Sequence, residues 1–198
     1  MCTLADITEI TNETGFGYYT PSKISSKRIV EGWYPSHIIH ATVNPPRTIR
    51  KKYKAKIYHL RVEIAATSGY QVKDKDGVEI STSEYAGREL YHNGIFFFLF
   101  PREEDAFEEN NEGNKLYAEF LHAIDTPLEK VEVDGVYKYY LPEIDPAVSL
   151  GKPVLVYTRK SKPFVGKRGD RISPMQIKYV RKWSGGEPVT ISGLKLPI

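Results

Sequence analysis

Two segments of the chain combine closely spaced cations with aromatic residues. Nine Lys or Arg residues and one acid, Asp170, occur in residues 159–182, and residues 44–62 hold seven Lys or Arg residues and no acid. Cationic side chains bind backbone phosphates, and flat rings stack on bases of any sequence. The two segments therefore predict contacts with a single-stranded nucleic acid.

The candidate contact residues divide by chemistry. Phosphate contacts are expected from Arg47, Arg50, Lys51, Lys52, Lys160, Lys162, Lys167, Arg168 and Arg171. Stacking is expected from Tyr53, Tyr157, Phe164 and Tyr179, although Tyr157 and Tyr179 suit a core equally well. Arg61 and Arg159 point from predicted strands, and we expect them to reach across the groove in which the nucleic acid would bind. The core is expected to hold Trp33, Trp183 and the run 96–98. For each basic run, the alternative is a charged loop that is simply solvated.

Composition restricts the remaining function classes. The chain has 198 residues, 40% hydrophobic and 27% charged, which is typical of one globular domain with appendages. No apolar run approaches the roughly 20 residues that span a bilayer, so no membrane association is expected. Cys2 is the only cysteine, which excludes intrachain disulfides and favours a reducing, cytoplasmic compartment, the host cell's cytoplasm if the protein is viral. The histidines are scattered and no phosphate-binding glycine loop occurs, so we expect no enzyme activity, no cofactor and no metal.

The hydrophobic pattern predicts five main strands and one helix. The strands are expected at residues 32–43, 53–66, 88–100, 153–159 and 176–183, and the helix at 114–124, between the third and fourth strands. In the second strand Tyr58, Leu60, Val62 and Ile64 alternate on one buried face. Asn44-Pro45-Pro46 is expected to end the first strand, so that residues 47–52 form a loop. Gly94 predicts a bulge, residues 68–83 a polar turn region, and residues 128–140 an inserted hairpin.

This order of elements predicts a mainly β fold of the OB type. An OB-fold is a five-stranded, partly open Greek-key barrel, here with a helix between the third and fourth strands and with hairpin and loop insertions. Its ligands bind the second and third strands, between the loops that join strands one to two and four to five. Both basic runs lie in those loops. The domain is expected at 31–184, after an N-terminal arm at 1–30 and before a tail at 185–198.

Three stretches carry a resemblance to a known family. EGWYPSHI, GRELYHNGIFFF and LGKPVLVYTRKSKPFVGKRGDRISPMQIKYVRKW, within residues 31–184, resemble the OB-fold single-stranded-DNA-binding proteins of bacteriophages. The resemblance implies cooperative coating of single-stranded DNA during phage replication or recombination, with replication or recombination proteins as partners. The end of the chain, GLKLPI, departs from the acidic, aromatic-tipped tail of many such proteins, which puts tail-mediated recruitment in doubt.

Two other functions remain open at this point. A metal-dependent nuclease would use acids from residues 101–145, and a structural or adaptor protein of a virion would use the barrel as a scaffold. The acidic segment 103–112 is expected to be a solvated loop. The alternatives are a strand mimic that occupies the groove when DNA is absent, or a docking site for another protein. The sequence does not predict the oligomeric state.

Overall fold

The computed structural model describes residues 28–49, 53–99, 113–133, 135–165 and 171–191. Its strands are β1 Gly32–Ile49, β2 Tyr53–Ile64, β3 Gln71–Lys73, β4 Glu79–Ser81, β5 Glu89–Phe98, β6 Glu129–Val133, β7 Val136–Tyr140, β8 Pro153–Lys160, β9 Phe164–Val165, β10 Arg171–Ile172 and β11 Met175–Lys182. The α-helix of the described ranges is α1, Lys115–Ala123, and short 3-10 helices occupy Thr82–Tyr85 and Pro146–Ser149. None of the helices in these ranges has the length and hydrophobicity that crossing a membrane requires.

A five-stranded antiparallel sheet organises the fold, in the order β11-β8-β1-β2-β5. Its central strand, β1, pairs with β8 near its start (Gly32 opposite Thr158) and with β2 from Ser36 to its end. The edge strands β5 and β11 contact each other, but no backbone ladder joins them in the described ranges. The prediction of a mainly β fold with a helix between the third and fourth main strands is therefore confirmed, whereas the described strands do not form a closed barrel.

Local patterns located most elements within a few residues. The predicted arms of the last hairpin, the second and third strands, the helix and the inserted hairpin all correspond to observed elements. The prediction that Asn44-Pro45-Pro46 ends the first strand is wrong, because β1 continues to Ile49. A register shift between Asn44 and Arg47 accommodates the two prolines, which cannot donate to a ladder. Arg47 accordingly lies in a strand, opposite Ala55, and not in a loop.

The polar segment 68–83 forms a further small hairpin, β3–β4, where the sequence indicated only a turn. The Asp74 carboxylate closes this turn by accepting hydrogen bonds from the backbone N–H groups of Asp76 and Val78, both at 2.9 Å. Side chains of this kind commonly replace backbone partners in tight turns.

The core lies on one face of the sheet and is covered by α1. Tyr58, Leu60, Val62 and Ile64 are all buried there, as their alternation predicts. From the helix, Tyr117, Phe120 and Leu121 are buried against them, and the rings of Tyr117 and Phe97 stack with centroids 4.4 Å apart. The side of the sheet that points away from this core is called the outer face below.

Gly94 permits the bulge that was predicted in the third strand. The ladder between β2 and β5 shifts between Tyr58 and Leu60, and Gly94 has a φ of 146°. A Cβ at this position would lie 2.5 Å from Cγ2 of Ile57, so the site requires glycine both for backbone freedom and for space.

Candidate nucleic-acid interface

The β2–β5 aromatic cluster, made of Tyr53, Phe96 and Phe98, lies on the outer face. The rings of Phe96 and Phe98 are nearly parallel, with centroids 5.9 Å apart and an interplanar angle of 21°, and Tyr53 meets Phe98 edge-on at 6.2 Å. Phe96 is 36% exposed. The assignment of the run 96–98 to the core is wrong for Phe96 and Phe98, because alternation along β5 buries only Phe97.

Polar and charged side chains border this cluster. Arg47 is exposed on β1, and the side-chain amide of Asn44 lies 2.9 Å from the imidazole of His59. Further along β2, Nη1 of Arg61 lies 3.4 Å from the carboxylate of Glu89, which also accepts a hydrogen bond from the hydroxyl of Tyr91. A partly exposed ion pair at this distance is weak, so Arg61 can exchange Glu89 for a phosphate.

The β8–β11 aromatic cluster, made of Trp33, Tyr157 and Tyr179, also lies on the outer face. The ladder sets these residues in one row across β1, β8 and β11. Ring centroids are 5.2 Å apart for Trp33 and Tyr157 and 6.1 Å apart for Tyr157 and Tyr179, which is 40% exposed. The guanidinium of Arg181 lies 4.9 Å from the centre of the Trp33 ring, a cation–π contact.

The β8–β11 aromatic cluster shows whether Trp33, Tyr157 and Tyr179 belong to the core. Trp33 is only partly buried and lies outside the core cluster, so its assignment to the core is wrong. Tyr157 and Tyr179 also lie outside the core cluster. The reason is alternation along β8, which buries Val154, Val156 and Thr158 and turns Tyr157 to the other side. Trp183, by contrast, is buried, next to the ring of His37, although it too lies outside the core cluster.

The chain beyond β11 covers part of the outer face between these features. The backbone N–H of Val189 donates to the carbonyl of Gly151 at 3.0 Å, and Nε2 of His37 lies 3.0 Å from the carbonyl oxygen of Glu187. This segment packs beside Trp183, and it leaves Tyr179 and Phe96 accessible to solvent.

The other predicted contact residues fall into three groups. Arg159, Lys160 and Lys162 are exposed in or just after β8. Phe164 and Arg171 belong to β9 and β10, a two-stranded ladder in what the sequence indicated as a loop, and only their backbones are described. Arg50, Lys51, Lys52, Lys167 and Arg168, together with the acidic segment 103–112 and the arm at 1–27, lie outside the described residues.

The two aromatic clusters lie near opposite ends of β1. Trp33 is near its start and Arg47 near its end, 14 residues on, a distance along the strand of at most about 46 Å. Because β8 ends beside the start of β1, the flanks of the two basic loops emerge from opposite ends of this strand. The described cations are divided between these two ends. The prediction that both loops border one cleft stays a prediction, because residues 50–52 and 166–170 lie outside the described residues.

The strongly shifted pKa values belong to core groups. Burial raises the pKa values of the Tyr34, Tyr58 and Tyr117 hydroxyls, and burial first, with nearby Lys178 and His59 second, lowers the pKa of His92 to about 4. Within the described part of the chain no group of three or more His, Cys, Asp or Glu residues is arranged to hold a metal ion. What the outer face offers chemically is flat rings, cations and amide groups.

Sequence reasoning missed four outer-face residues, Trp33, Phe96, Phe98 and Arg181. The signal that could have found Phe96 and Phe98 is the alternation in residues 95–98, where Ile95 and Phe97 are buried and their neighbours are not. Comparison of the chain with protein-family models, with curated proteins and with solved structures finds no match.

Proposed function

We propose that this protein binds single-stranded DNA, without sequence preference, on the outer face of its sheet. The observation that carries the proposal is the pair of aromatic clusters on that face, each beside exposed arginines. Arg47 flanks the β2–β5 aromatic cluster, and Arg159 and Arg181 flank the β8–β11 aromatic cluster. Rings supply stacking at roughly 1–3 kcal/mol per base, and arginines supply phosphate contacts.

The strand order supports an OB-type architecture as part of this proposal. If β1, β2, β5, β8 and β11 are strands one to five, the observed order reads five-four-one-two-three. The helix follows the third of these strands and contacts both β5 and β11, the two edges that a barrel would bring together. An open seam between those edges is compatible with the partly open barrel of an OB-fold.

The chemistry of the outer face favours binding without sequence preference. Every base has a flat surface, so stacking on Phe96 or Tyr179 carries no sequence code, and neither does a phosphate contact. Affinity should fall steeply with salt, because each phosphate neutralised by Arg or Lys releases counterions. Duplex DNA hides its base faces and should bind more weakly.

The resemblance within residues 31–184 extends the proposal to a biological setting. It supports a role on the single strands that arise during bacteriophage DNA replication or recombination, in the cytoplasm of the host cell. Replication or recombination proteins are the proposed partners there.

Titration of a fluorescent oligo-dT at two salt concentrations, with a duplex alongside, tests the proposal. Phe96→Ala and Tyr179→Ala should each weaken binding by about 5- to 150-fold, the equivalent of one lost stacked base. Tyr137→Ala is the matched control, because Tyr137 is 58% exposed but belongs to the separate β6–β7 hairpin. Equal affinity for duplex and single strand, or equal losses in all three variants, would contradict a stacking surface.

The same titration separates the alternatives. Negligible affinity at low salt would favour a structural or adaptor protein of a virion. Magnesium-dependent cleavage of the labelled strand, abolished by changing one carboxylate in residues 101–145, would favour a nuclease.

A further inference from the structure

A cavity of about 1120 Å³ opens at the side of the sheet, and none of the six residues of the two aromatic clusters lines it. It lies between the residues that precede β1, the β3–β4 hairpin and the ends of the β8–β11 hairpin. Its apolar walls come from Ile29, Val30, Val78, Ile80, Tyr85 and Met175. Val78 is 58% exposed, so the cavity presents an apolar surface to solvent.

The charged residues of this cavity are mostly cations. Two acidic residues line it, Glu31 and Asp74. The five cationic residues that line it are Arg28, Lys73, Lys75, Arg88 and Lys160. Across the described ranges no acid lies within ion-pair distance of the Arg28, Lys75 or Lys160 side chains, and Lys73 has only a loose contact with Glu79 at 3.5 Å. Like charges gathered at one concave site repel each other, and an anionic ligand would relieve that repulsion.

The two acids of the cavity already serve as acceptors for backbone groups. The Glu31 carboxylate accepts a hydrogen bond from the backbone N–H of Lys160 at 3.1 Å. The Asp74 carboxylate accepts the two turn N–H groups described above. Both carboxylates are therefore turned toward the backbone of the walls, and the side chains of Arg28, Lys75 and Lys160 remain to meet a ligand.

The combination of an apolar wall and several cations selects a class of ligand. Small-molecule sites typically enclose roughly 300–1,000 Å³, so this cavity has room for a nucleotide. A phosphate monoester carries a charge of about −1.5 to −2 at neutral pH, more than the single charge of each diester inside a strand. We propose that the cavity binds a nucleotide through a terminal phosphate monoester, with the base and sugar against Val78, Ile80 and Met175.

Such a monoester has two sources, a free nucleotide or the phosphorylated end of a DNA strand. The choice of a nucleotide as ligand rests on the proposed function, whereas the preference for an apolar group joined to a multiply charged anion does not. The probes are therefore dTMP and thymidine on one side, and oligo-dT with a 5′-phosphate, a 3′-phosphate or neither on the other.

The variants are Lys75→Gln and Arg28→Gln, with Lys115→Gln as the control of equal charge change. Lys75 and Arg28 are exposed, so their replacement should leave the fold intact, and Lys115 is exposed on α1, away from the cavity. We expect dTMP, or one of the phosphorylated oligonucleotides, to bind roughly tenfold more tightly than its unphosphorylated counterpart, as charge-assisted hydrogen bonds provide. Both cavity variants should remove this preference, and Lys115→Gln should retain it.

The outcomes distinguish this proposal from the proposed function. If every oligonucleotide binds alike and dTMP does not bind, the cavity proposal is overturned and the proposed function stands. If dTMP binds in a Lys75-dependent manner and no oligonucleotide does, the cavity proposal stands with the free nucleotide as its source, and the proposed function fails. An equal loss in Lys115→Gln would show a general charge effect and overturn the cavity proposal.

Discussion

Acidification should destabilise this protein through His92, on the buried face of β5. The side chain is 8% exposed, and its Nδ1 accepts the backbone N–H of Gly94 at 3.1 Å. Burial, reinforced by the positive charge of Lys178 and by His59, lowers the pKa of His92 from 6.5 to about 4. The folded protein therefore keeps this imidazole neutral at pH values where the unfolded chain protonates it.

The direction and size of the effect follow from the two pKa values. Well above pH 6.5 His92 is neutral in the folded and in the unfolded chain, and its titration takes nothing from the free energy of unfolding. As the pH falls from 6.5 toward 4, the unfolded chain binds a proton that the folded chain does not, so the free energy of unfolding decreases. A pKa difference of about 2.5, at about 1.36 kcal/mol for each pKa unit, corresponds to a loss of about 3 kcal/mol.

Urea unfolding at about pH 7 and about pH 4 measures this loss when the wild type is compared with His92→Asn. The amide oxygen that this substitution introduces can still accept the Gly94 N–H, but the amide does not titrate. Protonation of the carboxylates lowers the free energy of unfolding equally in both proteins. The wild type should therefore lose about 3 kcal/mol more than His92→Asn. His122→Asn, on the exposed side of α1, should behave like the wild type. An equal loss in the wild type and His92→Asn would refute the reasoning.

Two further predictions concern the residues that shape the β2–β5 aromatic cluster. Gly94→Ala should lower the free energy of unfolding by about 2–4 kcal/mol, because its Cβ would meet Ile57 at 2.5 Å in a backbone conformation that favours glycine. Gly69→Ala, at φ 94° with no atom within 4 Å, should cost less in the same urea titration, and equal costs would mean that the contact with Ile57 is harmless. The side-chain amide of Asn114 accepts the Phe98 N–H at 2.6 Å and donates to the Phe98 carbonyl at 3.0 Å, so Asn114→Ala should cost about 2–4 kcal/mol. Amide exchange at Phe98 should then accelerate; unchanged exchange would show that Asn114 does not hold the end of β5.

Local pattern predicted most of the elements, because their signals lie within a few residues. The alternation of Tyr58, Leu60, Val62 and Ile64 located β2 and its buried face, and the β-branched and aromatic residues of the last hairpin located β8 and β11. The helical spacing of Leu116, Phe120 and Ile124 located α1. In each case the period of the side chains determines the backbone conformation, and no distant residue is needed.

The candidate site was predicted less completely, since it depends on which face of each strand is covered. The basic runs pointed to Tyr157, Tyr179 and Arg159, but Trp33 and Phe96 were assigned to a core. A large ring satisfies a core or a stacking surface equally well, and its sequence neighbours do not say which. The charge pattern likewise predicts two loops on one cleft, and this stays a prediction, because the ladders place only their flanks, at opposite ends of β1.

The order of residues along the chain is enough to locate most strands, the helix, and the segments that carry cations and rings. The folded arrangement was needed to show that β1 continues past its two prolines, that two aromatic clusters share the outer face, and that Arg28, Lys75 and Lys160 converge on one cavity. These features depend on strand pairing and burial, which are set by residues far apart in the chain. Periodicity, in contrast, is a property of neighbouring residues alone.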